Sequence, residues 1–146
     1  MADITKLAIA GIDGVTAIEC GLKISELFAG EVLGALDAVY IEDDGTVMKA
    51  VSTEAAADGS AKFDGFVAKS CAIGEPVTIF STNNILTKYA AGLTPGAFYY
   101  VSDTAGKIAD ASTADTLEVA VDTESFELFV DRPIGKAVNT TDIRVL

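Results

Sequence analysis

The sequence has no histidine and no tryptophan, and it has only two cysteines among its 146 residues. The absence of histidine excludes Ser-His-Asp and Cys-His nucleophilic pairs, and it removes the commonest general base and metal ligand of proteins. Two cysteines without histidine cannot complete an ordinary structural zinc site. The glycine-rich motifs that bind dinucleotides and nucleoside triphosphates do not occur either. The sequence therefore predicts no catalytic residue, no cofactor and no metal, and hence a protein that is not an enzyme.

Basic residues are also scarce, with ten lysines and arginines against 22 acidic residues and a net charge of −12. Such a negative surface repels phosphate backbones, so we expect no nucleic-acid partner. The longest stretch without a charge, Tyr89–Ser102, is too short to span a bilayer and contains glycine and proline. No positively charged segment precedes an apolar run near Met1. We therefore expect a soluble protein that is not exported by a signal peptide and contacts no membrane.

The acidic residues are densest at Glu42-Asp43-Asp44, directly before Gly45. Several oxygens in a row suit a calcium ion, but the spacing does not match an EF-hand loop. Asp-Gly is also the pair that a tight hairpin turn prefers, so we expect a solvated turn. A pair of carboxylates can hydrolyse glycosides without histidine, which leaves a small β-barrel enzyme as a minor alternative.

The two cysteines, Cys20 and Cys71, lie far apart and outside any C-x-x-C motif. Because no secretion signal accompanies them, we expect two buried free thiols. Hydrophobic residues nevertheless make up 50% of the chain, which is high for a soluble monomer of this length. We therefore expect part of the apolar surface to be buried against other copies or a partner.

Short apolar runs separated by turns predict strands through most of the chain. Val39–Ile41 and Thr46–Val51 flank an Asp-Gly turn, which indicates a hairpin, and the alternation over Leu117–Val121 and Phe126–Val130 indicates another. Ser25–Leu36 could form a short helix, although two internal glycines disfavour it. Ile143–Leu146 should pair in a sheet, with Ile143 and Val145 on the same face.

An internal duplication relates residues 29–80 to residues 91–146. Val39–Ile41 in the first unit corresponds to Tyr99–Val101 in the second, and Gly34 corresponds to Gly96. Two copies are too few for a solenoid, so the units should pack face to face or close into a barrel. The prediction is an all-β fold, a small β-sandwich or barrel built from two similar hairpin-rich units with an N-terminal arm.

Residues 1–14 form the predicted arm or edge strand, and residues 15–146 form a single β domain. The arm carries apolar side chains at mixed spacing that could bind a partner, namely Ile4, Leu7, Ile9 and Ile12. Tyr99 is a further candidate for a subunit contact, because strand alternation turns it away from Phe98 and Tyr100.

Glycine turns and short apolar strands recur in order in the segments Ala29–Glu31, Val39–Ile41, Gly45–Ala50, Gly65–Ala68, Gly74–Ile79, Gly92–Gly96, Tyr99–Ser102, Pro133–Ala137 and Ile143–Leu146. This pattern covers most of Gly30–Leu146 and resembles the capsid decoration, or cement, proteins of tailed bacteriophages. Similar strings occur in phage tail and fibre proteins.

The resemblance implies a structural virion protein, made in the host cytoplasm, that binds the outer surface of the expanded phage head. Proteins of this kind commonly sit as homotrimers at local threefold axes and clamp neighbouring subunits of the major capsid protein. The N-terminal arm would then reach onto a neighbour. The alternative is a phage tail or fibre-associated module that binds a carbohydrate or a receptor.

Overall fold

The computed structural model describes residues 3–6, 17–18, 23–51, 63–102, 104–110 and 133–146. All regular secondary structure in these ranges is β-strand, so the all-β prediction is confirmed. The short helix considered for Ser25–Leu36 is not formed, because its first residues belong to a strand instead. The predicted hairpin at Leu117–Val130 lies outside the described residues.

Eleven strands lie in the described part of the chain: β1 Ala17–Ile18, β2 Lys23–Ala29, β3 Ala38–Ile41, β4 Thr46–Lys49, β5 Gly65–Val67, β6 Pro76–Phe80, β7 Ile85–Leu86, β8 Phe98–Val101, β9 Ile108–Ala109, β10 Gly135–Ala137 and β11 Ile143–Val145. Five of them close into a barrel in the order β2-β4-β3-β5-β6. The other six form a sheet in the order β1-β7-β11-β10-β8-β9. All pairs are antiparallel except β2 with β4.

The two units share the same strand pairing. In the first, β3 pairs with β4 and β5, and β5 pairs with β6. In the second, β8 pairs with β9 and β10, and β10 pairs with β11. The register also matches, because Val39 lies opposite Gly65 and Tyr99 lies opposite Gly135. The repeated pattern in the sequence thus corresponds to a repeated strand arrangement.

Backbone hydrogen bonds change one of the residue pairs that the sequence alignment of the two units gives. The amide of Leu36 donates to the carbonyl of Val67 over 2.8 Å, and the amide of Gly96 donates to the carbonyl of Ala137 over 2.8 Å. Both donors have positive φ, 62° for Leu36 and 84° for Gly96. The counterpart of Gly96 is therefore Leu36 and not Gly34, since an L-residue replaces glycine in the same backbone conformation.

The two units differ in the segment that pairs with their second strand, which is β4 in the first unit and β9 in the second. In the first, β2 pairs directly with β4, with Phe28 opposite Thr46. In the second, the N-terminal segment takes this place: Asp3 bridges to Ala109 and Lys6 bridges to Ala90. Residues 3–6 therefore lie along the second unit of their own chain, as an edge strand would.

The core has two parts that follow from strand alternation. The barrel interior is filled by one set of buried side chains: Ala29, Leu33, Val39, Val47, Val67, Cys71, Val77 and Ile79. A larger cluster joins the outer face of the barrel to the inner face of the second sheet. Its barrel members include Tyr40 and Phe66, and its sheet members include Tyr99, Val101 and Ile143. Strand β3 is therefore apolar on both faces, because each face lies against a different core.

The C-terminal strand follows its sequence prediction. Ile143 and Val145 are fully buried and share one face, while Arg144 between them is exposed. Replacing Ile143 with alanine should lower the free energy of unfolding by about 2–5 kcal/mol, because it opens a cavity in the shared core. Replacing Arg144 with alanine should change it by only about 0.5 kcal/mol. Urea denaturation of both variants measures the difference, and similar midpoints would contradict this packing.

The equivalent glycines of the two units offer a second comparison. A Cβ atom on Gly65 would meet the side chain of Ile79 and lie 2.5 Å from the carbonyl oxygen of Phe80. A Cβ atom on Gly135 would lie 2.6 Å from Cδ1 and 3.0 Å from Cγ1 of Ile143, whereas the carbonyl oxygen of Arg144 would be 3.6 Å away. We expect Gly65→Ala to destabilise the fold by about 3 kcal/mol and Gly135→Ala by about 1 kcal/mol, as overpacking does. Thermal melts should show the larger loss for Gly65→Ala, and the reverse order would be inconsistent with these contacts.

Candidate interaction surfaces

Tyr99, the predicted subunit contact, is in the core. Only 3% of its surface is exposed, and its hydroxyl accepts a hydrogen bond from the amide of Thr94 over 3.0 Å. This burial leaves Tyr99 almost no surface for the predicted subunit contact, because alternation in β8 turns Tyr99 inward and Phe98 outward. The opposite orientation of these two aromatic residues is as the sequence predicts.

Of the four N-terminal candidates, Ile4 is among the described residues. Ile4 is partly buried against the shared core, and its amide donates to the carbonyl of Ile108 over 2.9 Å. Its side chain therefore contributes to this chain's own packing. Leu7, Ile9 and Ile12 lie outside the described residues.

Polar contacts hold the N-terminal segment in place. Lys6 Nζ lies 2.6 Å from Asp37 Oδ1 and donates to the carbonyl of Ala35 over 2.7 Å. The other carboxylate oxygen of Asp37 accepts from the amide of Gly34 over 2.8 Å. Ser102 Oγ donates to the carboxylate of Asp3. The segment is thus tied to both units, since Asp37 precedes β3 and Ser102 follows β8.

The acidic turn at Glu42–Gly45 is a hairpin turn with Gly45 at a φ of 88°. Asp44 accepts hydrogen bonds from the hydroxyl of Thr46 over 2.7 Å and from its amide over 3.0 Å. These bonds hold the pKa of the Asp44 carboxyl below its usual value, with the hydroxyl as the larger cause. Among the described residues, no group of three or more acidic or cysteine side chains could hold a metal ion.

Cys71 is a free, buried thiol in the barrel core, and its burial raises the pKa of the thiol. The neighbouring carboxylate of Glu75 acts in the same direction. Cys71 therefore stays protonated near neutral pH and acts as a small apolar side chain. Cys20 lies outside the described residues.

Six large apolar side chains of the described residues are exposed, each between 40% and 67%. Three of them lie on β2, on the chain that follows it and on the loop before β6, and are named here the barrel patch: Phe28, Val32 and Ile73. Phe28 lies opposite Pro76 in the pairing of β2 with β6. Gly74 donates to the carbonyl of Ala29 over 2.8 Å, and a bridge joins Leu33 to Cys71. These backbone contacts bring the loop of Ile73 beside the chain that carries Phe28 and Val32.

Exposed charged residues lie close in sequence to the members of the barrel patch. Glu26, exposed in β2, occupies a β-bulge with a φ of 68°. Glu75 lies two residues after Ile73 in the loop, and its carboxylate accepts a hydrogen bond from the amide of Ala72 over 2.8 Å. Lys69 is an exposed cation on the same loop and partly offsets this charge. The loop that carries Ile73 thus holds one carboxylate and one lysine, and Glu26 lies two residues before Phe28 in β2.

The other three exposed apolar side chains lie on the second sheet and form, with two cations, the sheet patch: Phe98, Lys136, Val138, Arg144 and Leu146. The pairing places Phe98 opposite Lys136, and Lys136 opposite Arg144, in one row across β8, β10 and β11. Residues directly opposite share a face, and this face points away from the shared core. Val138 and Leu146 each follow two positions after a cation, and because β10 and β11 are antiparallel they lie on opposite sides of the row.

The cations of the sheet patch are uncompensated by described acidic groups. Lys136 Nζ lies 5.5 Å from the centre of the Phe98 ring, close enough for a cation–π contact. The ion pair found among the described residues joins Lys6 to Asp37 instead. Like charges directly opposite in a sheet destabilise the pair. The row thus combines exposed apolar area with two cations that form no ion pair with a described acidic residue, in a chain whose net charge is −12.

The sequence indicated excess apolar content but did not locate either patch. Strand alternation separates Phe98 from Tyr99 without saying which one faces inward. The row of Phe98, Lys136 and Arg144 depends on the register of strands far apart in sequence. Only the short alternations Gly135-Lys136-Ala137 and Ile143-Arg144-Val145, apolar-polar-apolar, carry a local signal of an outward basic face.

Comparisons with models of known families, with curated proteins and with solved structures gave no match to this chain. No helix long and apolar enough to cross a membrane occurs in the part of the chain that the structure describes.

Replacing Lys6 with methionine tests the attachment of the N-terminal segment. The variant keeps the apolar stem but loses the contacts to Asp37 and Ala35, so residues 3–6 should detach more often. Hydrogen exchange at the Ile4 amide should accelerate about fivefold to tenfold, since one partly buried ion pair contributes about 1 kcal/mol. Lys107→Met, at an exposed turn lysine, is the matched control. An unchanged rate at Ile4 would contradict the role of Lys6.

Proposed function

We propose that this chain is a structural protein of a tailed-phage virion that binds the outside of the capsid. In this role it stabilises the expanded head by bridging neighbouring subunits of the major capsid protein, and it associates with further copies of itself. The proposal places the protein on the outer capsid surface and gives it no catalytic task.

The observation that carries the proposal is the grouping of exposed apolar side chains on two surfaces. Scattered apolar residues are ordinary on a protein surface, whereas grouped ones indicate contacts with other macromolecules. The barrel patch and the sheet patch each combine three such side chains with charged residues at the same surface. Apolar area with a charged surround is typical of protein–protein interfaces.

The scaffold supports the same function. The two units share one core, and the first unit closes on itself as a barrel. A shared core holds surfaces in a fixed relation, which a protein that bridges subunits requires. The net charge of −12 favours solubility and opposes unspecific association before assembly. The resemblance of the turn and strand pattern to cement proteins supplies the assignment to the capsid.

The test uses heads of the phage that carries the gene, prepared without this protein. The purified chain should bind expanded heads saturably and raise the temperature at which they break open. Binding to expanded heads should exceed binding to unexpanded heads, because expansion rearranges the subunits that a cement protein bridges. Cosedimentation and thermal disruption of the heads measure both effects.

Unexpanded heads and an unrelated acidic protein of similar size are the controls. Absence of binding to expanded heads would overturn the proposal. Binding to purified tails or to host-surface glycans, without binding to heads, would replace it with the tail or fibre-associated binding module.

A further inference from the structure

The barrel patch and the sheet patch are complementary in composition. Each contributes three of the six large apolar side chains that are exposed in the described part of the chain. The barrel patch has exposed carboxylates at Glu26 and Glu75, whereas the sheet patch has exposed cations at Lys136 and Arg144. Even with the exposed Lys69 on its loop, the barrel patch is therefore net negative, whereas the sheet patch is net positive, around a similar apolar content.

The two patches face away from each other within one chain. The outer sides of β3 and β5 are covered by the second sheet, because Tyr40 and Phe66 belong to the shared core. Strand β2, which carries Phe28, is adjacent to neither of them in the barrel order. The sheet patch lies on the side of the second sheet that faces away from the barrel. The patches can therefore meet only between different copies.

A contact between the patches would also relieve an unfavourable feature of each chain. Lys136 and Arg144 lie directly opposite each other and gain no ion pair from described acidic residues. Carboxylates from a second copy would neutralise them, and Phe98 would be covered at the same time. An acidic partner is needed for this surface, and the chain itself, at a net charge of −12, is one.

We infer that copies of this chain associate head to tail, with the sheet patch of one copy on the barrel patch of the next. The contact is heterologous, so it generates a ring where the rotation closes and a filament where it does not. The inference gives surfaces to the self-association named in the proposed function and rests on that part of it alone.

A mixing experiment tests the contact. Arg144→Glu reverses a charge on the sheet patch, and Val32→Ser with Ile73→Ser removes apolar area from the barrel patch. All three positions are exposed, so both variants should melt like the wild type. Each variant alone should associate at least about tenfold more weakly than the wild type in sedimentation velocity. Lys107→Glu, the same charge change at an exposed lysine outside both patches, should associate normally.

The mixture of the two variants separates a head-to-tail contact from any symmetric one. Each variant keeps the patch that the other lacks, so an equal mixture should form dimers and nothing larger. A mixture that stays monomeric would overturn the inference, as would a wild type that is monomeric at every concentration. Because no heads are present, these results bear on self-association alone, whereas a wild type that self-associates but fails to bind heads overturns only the binding to the capsid.

Discussion

The fold depends on the contact between the outer face of the barrel and the inner face of the second sheet. Phe66 and Tyr89 meet there edge to face, with ring centroids 5.6 Å apart, and Phe63 packs on Phe66 at 5.1 Å. Phe63 and Phe66 belong to the first unit, and Tyr89 lies on the segment that joins the two units, where it packs in the shared core. Units of this size have small cores on their own. The contact therefore makes two similar units into one body, and it fixes the barrel patch and the sheet patch on opposite sides of that body.

Polar groups at this junction are held in place by the packing around them. The carboxylate of Asp37 forms an ion pair with Lys6 of the N-terminal segment. The amide of Gly106 donates to the carbonyl of Ala50 over 2.9 Å. The hydroxyl of Tyr89 is buried and has no hydrogen-bond partner among the described residues. Burial, with a smaller contribution from the charge of Asp37, raises the pKa of Tyr89 far above its usual value, so the phenol stays neutral. An unpaired buried hydroxyl costs about 1–3 kcal/mol, which the surrounding apolar contacts must exceed.

Local patterns in the sequence predicted the elements but not their surroundings. The Asp-Gly turn after Val39–Ile41 and the alternation at Ile143–Val145 gave strands and relative faces, because both signals act over a few residues. Tyr99 was misplaced because alternation fixes which side chains oppose each other, not which side is inside. The exposed row of Lys136 and Arg144 arises from pairing across the sheet, and no local pattern records which distant strands become neighbours.

The central claim is that the two units form one cooperative body around the Phe66–Tyr89 contact. Native-state hydrogen exchange in rising denaturant measures it at Val39 in the barrel and at Ile143 in the second sheet. One body predicts that both amides exchange only through global unfolding, with the same free energy and the same denaturant dependence. An amide in one unit that exchanges through a separate opening of lower free energy, while the other unit stays protected, would contradict it.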